Sequence, residues 1–173
     1  MRGKRTVFLV DDDVTNLTIG YNILSEVYNA VTINSGPGLF RMLGRLSPDL
    51  ILLDVDMPAM SGFEVIEALK RNEAQRDIPV IFLTARNDPD SELAGLSCGA
   101  GDYIVKPFSP QVLLKRVEIQ LEGRRELLRA QALLEEMAGE NTRALALLRN
   151  ALMLLGAAGK KRNRAARARR FAK

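Results

Sequence analysis

Residues 50–58 read LILLDVDMP, and this stretch decides the fold. A short, continuous apolar run that ends at an acidic residue is typical of a strand buried on both faces of a parallel sheet. Four similar runs occur along the chain, with helical patterns between them. The predicted strands are Thr6–Val10, Ala30–Ile33, Leu50–Leu53, Pro79–Leu83 and Tyr103–Val105. This alternation predicts an α/β fold with a doubly wound, five-stranded parallel sheet.

The helices between the strands carry recognisable start signals. The residues from Ser61 to Glu64 fit a capping box, while Asp88-Pro89 and Ser109-Pro110 each place proline at a first helical position. No strand pattern returns after Ser109. The sequence therefore predicts one domain over residues 1–122, a helical extension of its last helix over residues 123–155, and a disordered tail over residues 156–173.

The predicted extension has an apolar heptad pattern that resembles a coiled coil. One series contains Leu127, Leu134, Asn141, Leu148 and Leu155, and the other contains Ala130, Met137, Ala144 and Ala151. A single Asn in such a series is a known way to fix register and strand number. We therefore expect a homodimer through this helix; the alternative is an amphipathic helix folded back on its own domain.

Composition excludes several classes of protein. The chain has one cysteine, Cys98, and no His, so an intramolecular disulfide, the usual zinc sites and a Ser-His-Asp triad cannot form. The apolar run Val7–Val10 is too short for a signal peptide, and Arg149 and Asn150 interrupt the apolar stretch of residues 144–158. We expect a cytoplasmic protein without a membrane span.

The basic charge of the chain is concentrated at one end. Residues 160–173 hold eight of the 25 Lys and Arg residues and no acid, which leaves 17 basic against 21 acidic residues elsewhere. Such a segment could bind nucleic acid or an anionic membrane surface. Phe171 is its only aromatic residue, so stacking on bases has little support and a solvated tail is the simpler interpretation.

Acidic residues follow two of the predicted strands. Asp11 and Asp12 come directly after the first strand, Asp54 ends the third, and Asp56 lies just beyond it. Because the carboxyl ends of parallel strands meet at one edge, these residues should converge. Several carboxylates in one crevice repel one another unless a cation neutralises them, and an oxygen-only site suits Mg²⁺ or Mn²⁺. The alternative is that Asp11–Asp13 only caps the next helix.

The fourth and fifth strands bring a hydroxyl and an ammonium to the same edge. The fourth ends in Leu83-Thr84-Ala85, and the fifth is followed by Lys106 and Pro107. A carboxylate that accepts a phosphoryl group needs a metal and hydrogen-bond donors for the charge on the phosphoryl oxygens. Singly, Lys106 could be a surface cation and Thr84 a helix cap. Together with Asp54 and its acidic neighbours they indicate phosphoryl transfer.

The sequence resembles the receiver domain of two-component response regulators over about residues 4–122. Four ordered motifs carry the resemblance. They are Leu9-Val10-Asp11-Asp12-Asp13, the run from Leu52 to Gly62 that contains Asp54-Val55-Asp56-Met57-Pro58, Leu83-Thr84-Ala85, and Tyr103-Ile104-Val105-Lys106-Pro107-Phe108. It implies a flavodoxin-like fold and a partner that is a histidine kinase or a phosphotransfer protein. No effector signature follows residue 122, so the sequence does not identify the target. Asp56 and Arg86 lie at two places that influence the dephosphorylation rate in receivers, and this rate is not predicted.

The resemblance also implies a role for each site residue. Asp54 would form an aspartyl phosphate, Asp11 and Asp12 would hold the metal, and the main-chain carbonyl of Asp56 would be a further ligand. Thr84 with Ala85 and Lys106 would contact the phosphoryl group, and Tyr103 would turn inward as a switch. The Lys106–Pro107 bond would be cis. Such a domain promotes its own phosphorylation without being a conventional enzyme.

A phosphatase is the competing interpretation. Asp54-Val55-Asp56 also resembles the DxD motif of haloacid-dehalogenase-type phosphatases, in which the second Asp is a general acid and base. That motif follows the first strand, whereas here it follows the third and Asp11 and Asp12 precede it. The chain is also short for a cap domain. Short motifs need their structural context, and this context favours the receiver.

Overall fold

A computed structural model describes residues 3–85 and 97–170, and the side chains of this range up to residue 150. Its first part is an α/β unit in which strands and helices alternate. The strands are β1 (Thr6–Val10), β2 (Asn29–Ile33), β3 (Leu50–Asp54), β4 (Val80–Thr84) and β5 (Asp102–Val105). The helices are α1 (Val14–Ser25), α2 (Gly36–Leu43), α3 (Gly62–Arg71) and α4 (Pro110–Arg170). The helix predicted at Asp88-Pro89 lies outside the described residues.

The five strands form one parallel sheet in the order β2-β1-β3-β4-β5. Each predicted strand is present within one residue of its expected limits. Strands β3 and β4 are buried along their whole length, which is the property that their continuous apolar runs predicted. The doubly wound α/β prediction is therefore confirmed.

Alternate residues of each strand face two separate halves of the core. On β1, Val7 and Leu9 pack with the buried side of α1 and the start of α4, where Leu113, Val117 and Leu121 are buried. The alternating residues Phe8 and Val10 pack on the other face with α2 and α3. The period of two in a strand produces this division. Helices on both faces bury the central strands β1, β3 and β4 almost completely.

Side-chain caps start the helices that follow the strands. The Asp13 carboxylate accepts hydrogen bonds from the backbone N–H groups of Thr15 and Asn16 at the start of α1. Ser61 and Glu64 form the predicted capping box of α3. The Ser109 hydroxyl accepts from the backbone N–H of Val112, and Pro110 is the first residue of α4. Each cap satisfies N–H groups that have no partner inside the helix.

The chain divides into two compact units, Met1–Arg125 and Glu126–Lys173. We predicted disorder over residues 156–173, whereas the backbone of α4 stays helical to Arg170. Ala, Lys and Arg dominate this segment, all three have high helix propensity, and no proline interrupts it. Residues 171–173, with Phe171, lie outside the described part. None of the described helices is both long enough and apolar enough to cross a membrane.

Candidate functional site

Four strands end at the edge of the sheet where the predicted site residues lie. Asp11 directly follows β1, Asp54 is the last residue of β3, Thr84 is the last residue of β4, and Lys106 directly follows β5. Backbone hydrogen bonds hold these ends in register. The Asp11 N–H donates to the carbonyl of Ile33, and the Lys106 N–H donates to the carbonyl of Thr84 at 2.7 Å. Residues almost a hundred positions apart therefore meet at one edge.

Three carboxylates converge at this edge. Asp11, Asp12 and Asp54 each offer one oxygen, and these oxygens lie within 4.8 Å of one another. Asp11 and Asp54 are buried, whereas Asp12 is exposed. Among the residues that the structure describes, this acidic cluster is the one group with a geometry that suits a metal ion. Its ligands are all carboxylate oxygens, which hard divalent cations prefer.

Lys106 connects the cluster to the last strand of the sheet. Its Nζ atom donates to Asp11 Oδ2 at 2.5 Å and to Asp54 Oδ1 at 2.8 Å. The lysine side chain is 15% exposed, so both ion pairs are largely screened from water. With one ammonium for the three carboxylates of the cluster, a formal charge of −2 is left. A divalent cation at the cluster would neutralise this charge.

Burial and charge set the ionisation of these groups. Burial raises the pKa of Asp54, and the nearby Asp11 and Asp12 act in the same direction, while Lys106 partly opposes them. Burial disfavours the charged form of Lys106, but its hydrogen bonds to Asp11 and Asp54 outweigh that effect and raise the pKa of the ammonium. Lys106 therefore stays charged and favours an ionised Asp54.

Asp11 is held in place by residues of α1. Its Oδ1 atom accepts a hydrogen bond from the backbone N–H of Asp13 at 2.9 Å and another from Asn16 Nδ2 at 3.2 Å. Asn16 was not among the site residues predicted from the sequence. Its contribution arises because α1 begins directly after Asp13, so that the first turn of the helix lies beside Asp11. The only sequence signal for this contact was an amide side chain five residues after Asp11.

The segment after β3 fixes the backbone of Asp54. The Met60 N–H donates to the carbonyl of Pro58 at 2.8 Å around Ala59, whose φ of 66° is positive. This is a tight turn in a conformation that non-glycine residues rarely adopt. Gly62 then passes so close to β3 that a Cβ atom there would collide with the carbonyl oxygen of Asp54. Only glycine fits at that position without moving the strand.

The remaining predicted residues lie around the cluster. Thr84 is buried at the end of β4, and the half-buried Tyr103 packs against the core on the side of α2 and α3. Ala85 and the side chain of Asp56 are exposed, and the Asp56 carboxylate is not part of the acidic cluster. The Lys106–Pro107 bond is cis, as the resemblance implied. Arg86 lies outside the described residues.

Comparisons with known proteins agree on one family. The family described as "Response regulator receiver domain" matches residues 7–118. A Vibrio cholerae protein named "Probable cyclic di-GMP phosphodiesterase" is 39% identical over 120 residues, which is 69% of this chain and 27% of that protein. The "Phosphate regulon transcriptional regulatory protein PhoB" of Pseudomonas aeruginosa is 38% identical over 122 residues, which is 70% of this chain and 53% of that protein. The chain thus spans about half or less of the length of these relatives.

Solved structures show the same similarity. The receiver domain of a signal transduction histidine kinase from Syntrophus aciditrophicus superimposes with a TM-score of 0.64 at 37% sequence identity. The match covers 69% of this chain and 91% of that domain. The similarity therefore extends over nearly a whole receiver domain.

Proposed function

This chain belongs to the response regulator receiver family, and from that premise we propose that Asp54 accepts a phosphoryl group from a histidine kinase, a phosphotransfer protein or a small donor such as acetyl phosphate. One observation carries the proposal. Asp54 lies at the end of a buried strand, with the Lys106 ammonium 2.8 Å from its carboxylate and two further carboxylates beside it. An acceptor carboxylate needs this combination of a counter-charge and a site for a metal.

The acidic cluster fits a bound Mg²⁺ or Mn²⁺ ion. We propose that Asp11, Asp12 and Asp54 hold it through carboxylate oxygens and that the main-chain carbonyl of Asp56 is a further ligand. All of these are oxygen donors, and the −2 charge of the cluster with Lys106 matches a divalent cation. The ion would screen the negative charge of the phosphoryl oxygens.

The transfer itself needs only the Asp54 carboxylate as nucleophile. One of its oxygens forms a bond to phosphorus while the bond from phosphorus to the donor breaks, and the donor leaves with that electron pair. Asp54 must be ionised to attack, and Lys106 favours this form although burial opposes it. Lys106 then pairs with the phosphoryl group. Asn16 and Asp13 keep Asp11 oriented throughout.

Thr84, Ala85, Tyr103 and Lys106 form the proposed switch. Phosphorylation adds charge and hydrogen-bond acceptors next to the end of β4. We propose that the Thr84 hydroxyl and the Lys106 ammonium move toward the phosphoryl oxygens, with Ala85 beside Thr84, and that Tyr103 turns inward in response. Thr84 is buried and Tyr103 is half-buried. Because both side chains are packed against the protein, a movement at this edge of the sheet would change their surroundings. This is a local electrostatic event of the kind that operates many switches.

We propose that the chain acts as a regulator and not as a conventional enzyme. A phosphatase of the haloacid-dehalogenase type would need Asp56 as a general acid, and the exposed Asp56 carboxylate lies outside the acidic cluster. The phosphodiesterase named above is matched over 27% of its length, so its activity is not carried over to this chain. A histidine kinase as donor implies a cytoplasmic location.

Intact-mass measurement after incubation with acetyl phosphate and Mg²⁺ tests the proposal. We expect the wild-type chain to gain one phosphoryl group and Asp54→Ala to gain none. Asp56→Ala is the matched control, because it removes the neighbouring exposed carboxylate and should still be labelled. Omission of the metal should abolish labelling of the wild type and of Asp56→Ala. Equal labelling of the wild type and Asp54→Ala would exclude Asp54 as the acceptor.

A further inference from the structure

Residues 126–150 of α4 form a helix without any buried side chain. Every residue of this segment is exposed, and its large apolar side chains include Leu127, Leu134, Met137 and Leu148, each at least 60% exposed. Helices in water draw most of their stability from packing an apolar face. A contiguous apolar surface of this kind marks a site of interaction. The segment therefore needs a partner surface.

One face of this helix is apolar and regular enough to define the partner. We call it the seam: Leu127, Ala130, Leu134, Met137, Asn141, Ala144 and Leu148. These residues follow the heptad spacing, and no charged residue interrupts them. The charged residues Arg129, Glu135, Glu136 and Arg143 fall at positions of the repeat that face away from the seam. A heptad seam is complementary to another helix with the same repeat.

Asn141 indicates that the second helix belongs to another copy of this chain. An amide in an apolar seam is costly unless both its donor and its acceptor find partners. An amide carries both groups, so Asn141 is complementary to Asn141 of a second copy at the same level. A two-fold contact places equal residues opposite each other in this way. A different partner would have to supply a polar group at that same level.

The charges beside the seam favour a parallel pair. Glu140 precedes Asn141 and flanks the seam. In an antiparallel pair centred near Asn141, the two Glu140 carboxylates would face each other and repel. In a parallel pair, Glu140 lies beside Leu145 of the second copy, and no like charges meet. Glu140 thus avoids its own copy only in the parallel arrangement.

We propose that residues 127–148 of two copies form a parallel, in-register, two-stranded coiled coil in which Asn141 faces Asn141. The proposed pairing uses residues of the second unit alone. It defines an interaction surface whose partner is a second copy of the full chain.

Cross-linking through single cysteines tests both the pairing and its direction. Cys98 is the only cysteine and is exposed, so a full-length Cys98→Ser chain is a clean background. In that chain, Ala130→Cys and Ala144→Cys place a thiol in the seam, whereas Ala132→Cys and Ala146→Cys place it on the opposite side of the same helix. After mild oxidation we expect at least tenfold more covalent dimer from the two seam variants than from their matched controls.

The alternatives give different results. In an antiparallel pair centred near Asn141, residue 130 lies roughly 30 Å from its own copy at 1.5 Å per residue, so Ala130→Cys would not cross-link above its control. Residue 144 lies only about 9 Å along the axis from its own copy in that arrangement, so Ala130→Cys is the variant that decides the direction. Sedimentation of the Cys98→Ser chain gives a second readout. Leu134→Glu should weaken self-association at least tenfold, whereas Leu128→Glu, outside the seam, should leave it unchanged. A monomer at all concentrations, or equal cross-linking of seam and control variants, would overturn the proposal.

Discussion

The two units of this chain solve the problem of burying apolar side chains in opposite ways. In Met1–Arg125, leucines such as Leu52 and Leu53 are fully buried between helices on both faces of the sheet. In residues 126–150 of α4, leucines such as Leu134 are two-thirds exposed. The first unit can satisfy its own side chains because it brings together residues that are far apart in sequence. The second is a linear repeat that can be satisfied only by another surface.

This difference also separates the two kinds of function. The acidic cluster exists only because β1 and β3 end at one edge, and Lys106 joins it from the end of β5, so the site depends on the fold as a whole. The seam depends only on spacing along one helix. Because its residues are exposed in a single chain, most of them should tolerate substitution without loss of stability when no partner is bound. The same substitution should therefore have different effects in the two units. The following experiments use this contrast, from the largest expected effect to the smallest.

A leucine truncation should distinguish the units most clearly. Leu52→Ala removes a fully buried side chain, and we expect it to lower the free energy of unfolding of the first unit by about 2–5 kcal/mol. Leu134→Ala, at an exposed position, should change that free energy by less than about 0.5 kcal/mol. Urea unfolding followed by tyrosine fluorescence measures this quantity, because Tyr21, Tyr28 and Tyr103 all lie in the first unit. Equal losses in the two variants would mean that the helix is buried in the isolated chain.

A glycine-to-alanine pair should give effects of opposite sign. In Gly62→Ala the new Cβ atom would meet the carbonyl oxygen of Asp54, so we expect a loss of stability of about 1–3 kcal/mol from overpacking together with slower phosphorylation. In Gly139→Ala the new atom meets nothing within 4 Å, and helix formation should gain about 1 kcal/mol. Urea unfolding measures the stability of Gly62→Ala, and the far-ultraviolet helix signal measures helix formation in Gly139→Ala. A stabilised Gly62→Ala would contradict the close approach of Gly62 to β3.

Removal of the shared ammonium should change metal affinity. Lys106→Met leaves the acidic cluster with a formal charge of −3 in place of −2, so we expect Mg²⁺ to bind about tenfold more tightly, which is about 1.4 kcal/mol. Lys115→Met is the control, because Lys115 is exposed and pairs with Glu118 on α4. Titration calorimetry measures the affinity. Weaker binding to Lys106→Met would show that Lys106 orders the carboxylates more than it competes with the ion.

Much of this fold could be predicted from the sequence because its central strands are buried on both faces. The runs at residues 50–54 and 80–84 have no polar residue before their last position, so composition alone places these strands to within one residue. The convergence of Asp11, Asp12 and Asp54 also followed, since parallel strands end at a common edge. The prediction of the acidic cluster thus needed only the order of the strands and the residue after each.

Other features depend on three-dimensional detail that no pattern contains. Asn16 contacts Asp11 only because α1 begins three residues after Asp11, which brings the first turn of the helix beside it. Lys106 was expected at the phosphoryl group, but its simultaneous bonds to Asp11 and Asp54 depend on the reach of a long side chain. For residues 156–170 two sequence properties disagreed. The high charge favoured disorder, whereas the intrinsic helix propensity of Ala, Lys and Arg favoured the helical backbone that the structure has.

The position of Asp54 at the end of β3 has a consequence for folding as well as for signalling. The four residues before it are three leucines and one isoleucine, which are nearly interchangeable in either half of the core. A slip of β3 by one residue would therefore hardly change the fit of its apolar side chains. It would, however, move the Asp54 carboxylate into the position of Leu53, between Val10 and Phe82. The cost of burying a charge there makes the proposed acceptor residue the marker that sets the alignment of its own strand.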